Sequence, residues 1–218
     1  MKIVSTKDGS HTVIHDVLDE HYHSIHGAMQ ESQHVFIKEG LERHKDKSTV
    51  KVFEMGFGTG LNALLSCEYA EKNHVKVEYY TIEAYPLDVE QARQLNYPKL
   101  AGSKEMFNNI HVAVWEECIK LSANFQLMKI KGLLESTDLS FIPKIDVVFY
   151  DAFAPNSQAH LWEPPVLEKM YTLLNSGGHL ATYCAKGQFK RNLKAVGFEV
   201  EGVPGPPGKR EMTLGFKP

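Results

Sequence analysis

The chain has 218 residues, 43% of them hydrophobic and 23% charged, a composition that fits one globular domain with a full core and excludes a disordered chain. Its formal net charge of −3, from 24 basic and 27 acidic residues, is not the global signature of a nucleic-acid binder, so a polyanionic partner must meet a local basic patch. No apolar run approaches membrane-spanning length, and Lys2, Lys7, Asp8 and His11 leave no signal-peptide core, so a cytoplasmic protein with no membrane partner is expected.

Residues 1–48 read as a polar N-terminal extension, with a short hairpin over 3–16 and a helix over 32–43. Six of the eleven histidines fall at His11, His15, His21, His23, His26 and His34. No cysteine or acid cluster at ligand spacing accompanies them, and no metal site is expected. Residues 49–218 form the second unit, in which strand and helix signals alternate. Strands are predicted over 50–55, 75–82, 125–131, 145–150 and 178–184, and helices over 61–72, 87–95, about 103–122, 163–174 and 187–195. This alternation predicts an α/β fold with a mostly parallel sheet and right-handed crossovers. Two short strands near Phe198 and Met212, joined through Pro204-Gly205-Pro206-Pro207-Gly208, can only return antiparallel and add one reversed strand near the sheet edge. Cys67, Cys118 and Cys184 lie far apart without a C-x-x-C pair and read as reduced structural residues.

The most informative stretch runs from Val50 to Leu65. An apolar strand reaches Glu54, then Gly56-Phe57-Gly58-Thr59-Gly60, then the helix start at Leu61-Asn62. Glycines at such a turn let the backbone pass close to a ligand, and an acid at the end of the second strand, Glu83, stands where nucleotide-binding α/β folds hold a ribose. The dinucleotide fingerprint needs a small third residue, and Leu61 occupies that position, which disfavours an NAD-dependent oxidoreductase. The acid before alternating glycines, with the second acid after strand two, instead resembles the S-adenosylmethionine site of class I methyltransferases. Strand 145–150 ends in Asp151-Ala152-Phe153-Ala154-Pro155, so Asp151 belongs at the same rim as the glycine loop and Glu83. A carboxylate there can orient an amine and accept its proton during methyl transfer, although an aspartate at a strand end also serves as a helix N-cap or turn residue. Two stretches are basic enough to meet a polyanion: Lys38, Arg43, His44, Lys45 and Lys47, and Lys186, Lys190, Arg191 and Lys194. Each also reads as a solvated helix face.

The resemblance becomes specific when distant motifs are taken together. Tyr22-His23-Ser24, Gly27-Ala28, Glu31-Ser32-Gln33-His34-Val35-Phe36, Glu54 to Asn62, Glu83-Ala84-Tyr85-Pro86-Leu87, Asp151 to Pro155, Trp162 and Gly208-Lys209-Arg210-Glu211-Met212 resemble the tRNA 5-methylaminomethyl-2-thiouridine methyltransferase family. This family is the methyltransferase half of the bifunctional wobble-uridine modification enzyme. The resemblance implies a Rossmann-like class I methyltransferase fold, with a mostly parallel seven-stranded sheet, one antiparallel strand and a small N-terminal extension. It implies S-adenosylmethionine held by Glu54, Gly56, Phe57, Gly58, Thr59, Gly60, Asn62, Glu83 and Asp151, with Asp151 also catalytic. Substrate contacts are expected from Tyr22, Ser24, Glu31, Phe153, Pro155, Trp162, Lys186, Lys209, Arg210 and Glu211. The implied partner is the tRNA anticodon stem-loop, methylated on the 5-aminomethyl group of its wobble 2-thiouridine. No FAD-dependent oxidase domain is expected in these residues. The chain departs from the family at one point. The acid that usually follows strand 125–131 to read adenine is absent, leaving either the backbone of Gly132 to Leu134, chiefly Gly132 and Leu133, or Glu135 reaching back. An amine methyltransferase acting on a small molecule or a protein is the alternative.

Overall fold

The computed structural model describes residues 2–15, 19–101 and 103–218. The extension begins with a hairpin of β1 (Lys2–Ser5) and β2 (His11–Ile14), and the expected hairpin end at Asp16 lies outside the described residues. The next helical segment starts earlier than the pattern predicts. It runs through α1 (Ala28–Ser32), a π-helical stretch Gln33–Lys38 and a 3-10 turn Leu41–His44. Gly40 interrupts it where a Cβ would lie 2.2 Å from the Phe36 carbonyl oxygen and 2.7 Å from the Phe149 ring.

Strands β3 (Thr49–Met55), β4 (Lys76–Glu83), β5 (Cys118–Lys120), β6 (Phe125–Lys131), β7 (Ile145–Tyr150), β8 (Leu174–Thr182), β9 (Glu199–Pro204) and β10 (Glu211–Phe216) form one sheet in the order β5-β6-β4-β3-β7-β8-β10-β9. Every residue of β7 is buried, as a parallel strand covered on both faces requires. The helices are α2 (Leu61–Asn73), α3 (Val89–Ala92), α4 (Tyr97–Ala101), α5 (Lys104–Val112), α6 (Pro164–Leu173) and α7 (Gly187–Val196). The fold is thus the expected Rossmann-like α/β type, with β10 antiparallel to both neighbours.

Two expectations are corrected. The sheet has eight strands rather than seven, and two reversed strands, β5 and β10, rather than one, because the helix predicted over 103–122 stops at Val112 and the chain turns back to pair Cys118–Lys120 antiparallel with the free edge of β6. Trp115 makes a bridge to Lys129, and Glu116, at φ 63°, donates its N–H to the Lys129 carbonyl oxygen at 2.8 Å. Edge pairing therefore outweighs local helical periodicity here. The helix predicted over 87–95 shrinks to α3, and α4 begins beyond it at Tyr97. Between them Asn96 is held by the hairpin, accepting from the His11 N–H and donating to the Gly9 carbonyl oxygen, each at 2.8 Å.

Sheet order reverses between β3 and β7: from β3 the chain proceeds outward to β4 and β6, and from β7 outward to β8. Side chains outside the carboxyl ends of these two strands converge on the crevice that such a switch point opens. Among the described residues, no helix is long and apolar enough to cross a membrane.

Candidate active site

A cavity of about 1070 Å³ opens at the switch point. Its floor is the loop after β3. Gly56 has φ 90°, and a Cβ there would lie 2.8 Å from the Asp151 carbonyl oxygen, so only glycine lets the β3 and β7 ends approach this closely. Gly58, at φ 50°, donates its N–H to Glu83 Oε2 at 2.9 Å, while the Tyr85 N–H reaches Glu83 Oε1 at 2.9 Å. The carboxylate at the end of β4 is thereby fixed beside the loop. On the other side of the loop His23, buried, bonds Thr59 Oγ1 through Nε2 at 2.7 Å, and burial pushes its pKa down to about 4. The neutral imidazole thus ties the extension to the loop.

Asp151 lies at the end of β7 and accepts a hydrogen bond from Asn62 Nδ2 at 2.8 Å. Burial, reinforced by the negative charge of Glu31, pushes its pKa up to about 7, while the Asn62 hydrogen bond and Lys209 oppose the rise. Glu31 is itself buried, accepting from the Ser24 N–H at 2.8 Å and from Lys209 Nζ at 2.6 Å. The Lys209 ammonium also sits 3.8 Å from the centre of the Tyr183 ring, whose hydroxyl donates to the Ala152 carbonyl oxygen at 2.8 Å. At the opposite wall the Tyr22 and Phe153 rings meet edge to face at 5.0 Å, with the His15 ring 5.4 Å from Phe153.

Of the residues assigned from sequence, Gly56, Phe57, Gly58, Thr59, Asn62 and Glu83 line the cavity. So do Gly132, Leu133 and Asp151, and on the substrate side Tyr22, Ser24, Glu31, Phe153 and Lys209. Glu135 also reaches the wall, paired with His160 at 2.8 Å, so both proposed replacements for the missing adenine-reading acid are present there. The others are placed elsewhere. Glu54 has no exposed surface, and its carboxyl takes a hydrogen bond from Thr81 Oγ1 at 2.8 Å beneath the loop. Gly60 is buried against His111, where a Cβ would lie 2.8 Å from Nε2. Trp162, also buried, donates Nε1–H to the Phe153 carbonyl oxygen at 2.9 Å and supports that loop from behind. Pro155, Lys186, Arg210 and Glu211 lie outside the cavity lining; Lys186 binds Asn156 Oδ1 at 2.6 Å and Glu211 pairs with Lys190 at 2.8 Å.

The two basic stretches are separated. Residues 38–47 precede β3 and belong to the end of the sheet opposite the cavity. There Lys47 pairs with Asp146 at 2.6 Å and Arg43 with Glu39 at 2.7 Å, and His44 is buried. Sequence reasoning missed Tyr183 and the locking role of His23. Tyr183 follows directly on the carboxyl end of β8, a position the switch-point rule marks as ligand-facing.

The glycine cradle, the acid anchored at the end of β4 and the carboxylate at the end of β7 fit the methionine and ribose parts of S-adenosylmethionine, and together with the fold they define an S-adenosylmethionine-dependent methyltransferase. A protein-family model described as S-adenosyl-L-methionine-dependent methyltransferase matches residues 88–218, and the chain belongs to that family. It is similar to the tRNA 5-methylaminomethyl-2-thiouridine biosynthesis bifunctional protein MnmC of Idiomarina loihiensis, at 33% identity over 90% of this chain and 35% of the relative. The MnmC of Leptospira interrogans is 30% identical over 94% of this chain and 33% of its own length. The chain therefore spans about a third of the length of these curated relatives. In fold it is similar to the crystal structure of MNMC2 from Aquifex aeolicus, with a TM-score of 0.77 and 24% identity over 100% of this chain and 71% of that one.

Proposed function

We propose that this protein transfers a methyl group from S-adenosylmethionine to the 5-aminomethyl group of 5-aminomethyl-2-thiouridine at the tRNA wobble position, giving 5-methylaminomethyl-2-thiouridine. The observation that carries this reading is Asp151: a carboxyl with a pKa of about 7, held by Asn62 at the rim where the glycine loop and Glu83 converge. The names of the similar proteins support the nucleoside.

S-adenosylmethionine supplies an electrophilic methyl group on a sulfonium sulfur. Glu83, fixed by the Gly58 N–H at the cavity wall, would hold the ribose hydroxyls, and the Gly56 to Gly60 loop would pass close to the methionine part. The acceptor amine must present a free lone pair, and Asp151 in its ionised form both orients the amine and takes the proton that the nitrogen loses when it gains the methyl. A carboxylate with a pKa near that of its surroundings accepts a proton far more readily than one with an ordinary pKa. Tyr22 and Phe153 offer ring faces and edges for a nucleobase, and Lys209, paired with Glu31, lines the same cavity. The extension, residues 1–48, would thus be the substrate-side wall, since it contributes Tyr22, Ser24 and Glu31. A cytoplasmic location follows from the proposed substrate.

Nucleoside mass spectrometry of tRNA from cells lacking the protein tests the reading. Accumulation of 5-aminomethyl-2-thiouridine, removed by adding the purified protein with S-adenosylmethionine, is the expected result. Unchanged wobble nucleosides would reject it.

A further inference from the structure

Four polar atoms beneath the glycine loop are buried without a hydrogen-bond partner among the described residues: Glu54 Oε1, Asn62 Oδ1, Tyr79 OH and Ser66 Oγ. They belong to one neighbourhood. Asn62 and Tyr79 both act on the ionisation of Glu54, and Ser66 on that of Tyr79. Buried polar groups are almost always satisfied, so four orphans together call for an explanation.

The protonation state of Glu54 supplies one. Its Oε2 already accepts from Thr81 Oγ1 at 2.8 Å. Asn62 turns its Nδ2 to Asp151 at 2.8 Å, which leaves its Oδ1, an acceptor, in the same interior space as Glu54 Oε1. Two bare acceptors repel, whereas a carboxylic acid places a donor between them. Burial also raises the Glu54 pKa well above that of an ordinary glutamate, and the Asp151 charge adds to the rise, while the Thr81, Asn62 and Tyr79 side chains oppose it without cancelling it.

We propose that Glu54 is a neutral carboxylic acid that donates to the Asn62 side chain and keeps its amide nitrogen turned to Asp151, making Glu54 a positioning residue for the proton-accepting carboxylate rather than a cofactor ligand. The role assigned to Asp151 rests on the amine-methylation reading; the orientation of Asn62 does not. If Glu54 were lost, the carboxamide would be free to rotate, and its oxygen facing Asp151 would favour the protonated acid there. The other groups acting on Asp151 are Glu31 from α1, Lys209 from the turn before β10, Tyr183 after β8 and Tyr79 on β4, and none of these changes in the variants below.

The experiment is a carbon-detected NMR titration of the Asp151 carboxyl in the ligand-free protein, in wild type, Glu54→Gln and Glu54→Leu. It needs no substrate and so stands apart from the nucleoside test. Glutamine reproduces the donor of a neutral acid, so the midpoint should stay in place, while Glu54→Leu should raise it by about one unit. Were Glu54 ionised, Glu54→Gln would remove a negative charge and lower the midpoint, which would overturn the proposal. An unmoved midpoint in a folded Glu54→Leu would overturn it as well. Should Glu54→Leu fail to fold, infrared spectroscopy near neutral pH decides in a background of Asp151→Asn with Glu68→Gln, which removes the two other carboxyls that hold a proton up to about 7: a protonated-carboxyl band is expected there, and it should vanish when Glu54→Gln is added. A spectrum of that background without the band would equally overturn the assignment.

Discussion

Lys209 Nζ lies 2.6 Å from Glu31 Oε1, so an ion pair between residues 178 positions apart joins the turn before the last strand to the first helix of the extension across the cavity mouth. Both members act on Asp151: Glu31 raises its pKa and Lys209 lowers it. The ionisation of Asp151 is therefore set by a balance that single substitutions can tip in either direction.

The first prediction concerns that balance. In the proposed mechanism methyl transfer requires ionised Asp151, so kcat/KM should fall as pH drops through about 7. Glu31→Gln should move this acidic limb to lower pH and Lys209→Ala to higher pH. Profiles of kcat/KM on aminomethyl-containing tRNA check both signs, and a limb that shifts the same way in both variants would contradict the arrangement.

The same shift has a stability consequence. The folded protein holds the Asp151 proton up to about 7, against 3.8 for an ordinary aspartate, so the native state loses stability as pH rises between these values and carries the full penalty above them. Asp151→Asn removes the penalty. It should melt higher than wild type at about pH 8, by on the order of 2 kcal/mol, with the advantage shrinking toward about pH 4. Thermal melts across this range measure it, and turnover should fall at least about a hundredfold in the same variant.

Gly58→Asp should abolish S-adenosylmethionine binding. Gly58 has φ 50°, a Cβ there would meet the Tyr22 ring at 3.1 Å, and the new carboxylate would stand beside Glu83, which the Gly58 N–H now holds. Calorimetric titration giving wild-type affinity would remove the loop from the cofactor site.

For tRNA, exposed cations beside the last strands are Lys186, before α7, and Arg210, before β10; Lys190 is already paired with Glu211. Lys186→Glu with Arg210→Glu should raise KM for tRNA and flatten its salt dependence, leaving S-adenosylmethionine affinity unchanged, because phosphate contacts act through counterion release. Charge reversal at exposed Lys45, at the far end of the sheet, should leave both quantities unmoved. Binding at two salt concentrations separates the two faces.

Much of this molecule is legible in its sequence because the deciding forces are local. The apolar runs over 125–131 and 145–150 coincide with β6 and β7, since alternation and burial act on neighbours in the chain. The glycines after β3 and the acids at the ends of β4 and β7 announce the rim, because the switch-point rule depends only on strand order. Tertiary contacts decided the rest. The stretch after Val112 has helical periodicity yet becomes the eighth strand, because the edge of β6 offers unpaired backbone groups. Glu54 looks like a ligand in the motif but turns inward, since alternate residues of a strand face opposite sides and its side is closed by α2 and β4. The ionisation of Asp151 depends on Glu31 and Lys209, which no local pattern brings together, because electrostatic influence follows distance in space rather than separation along the chain.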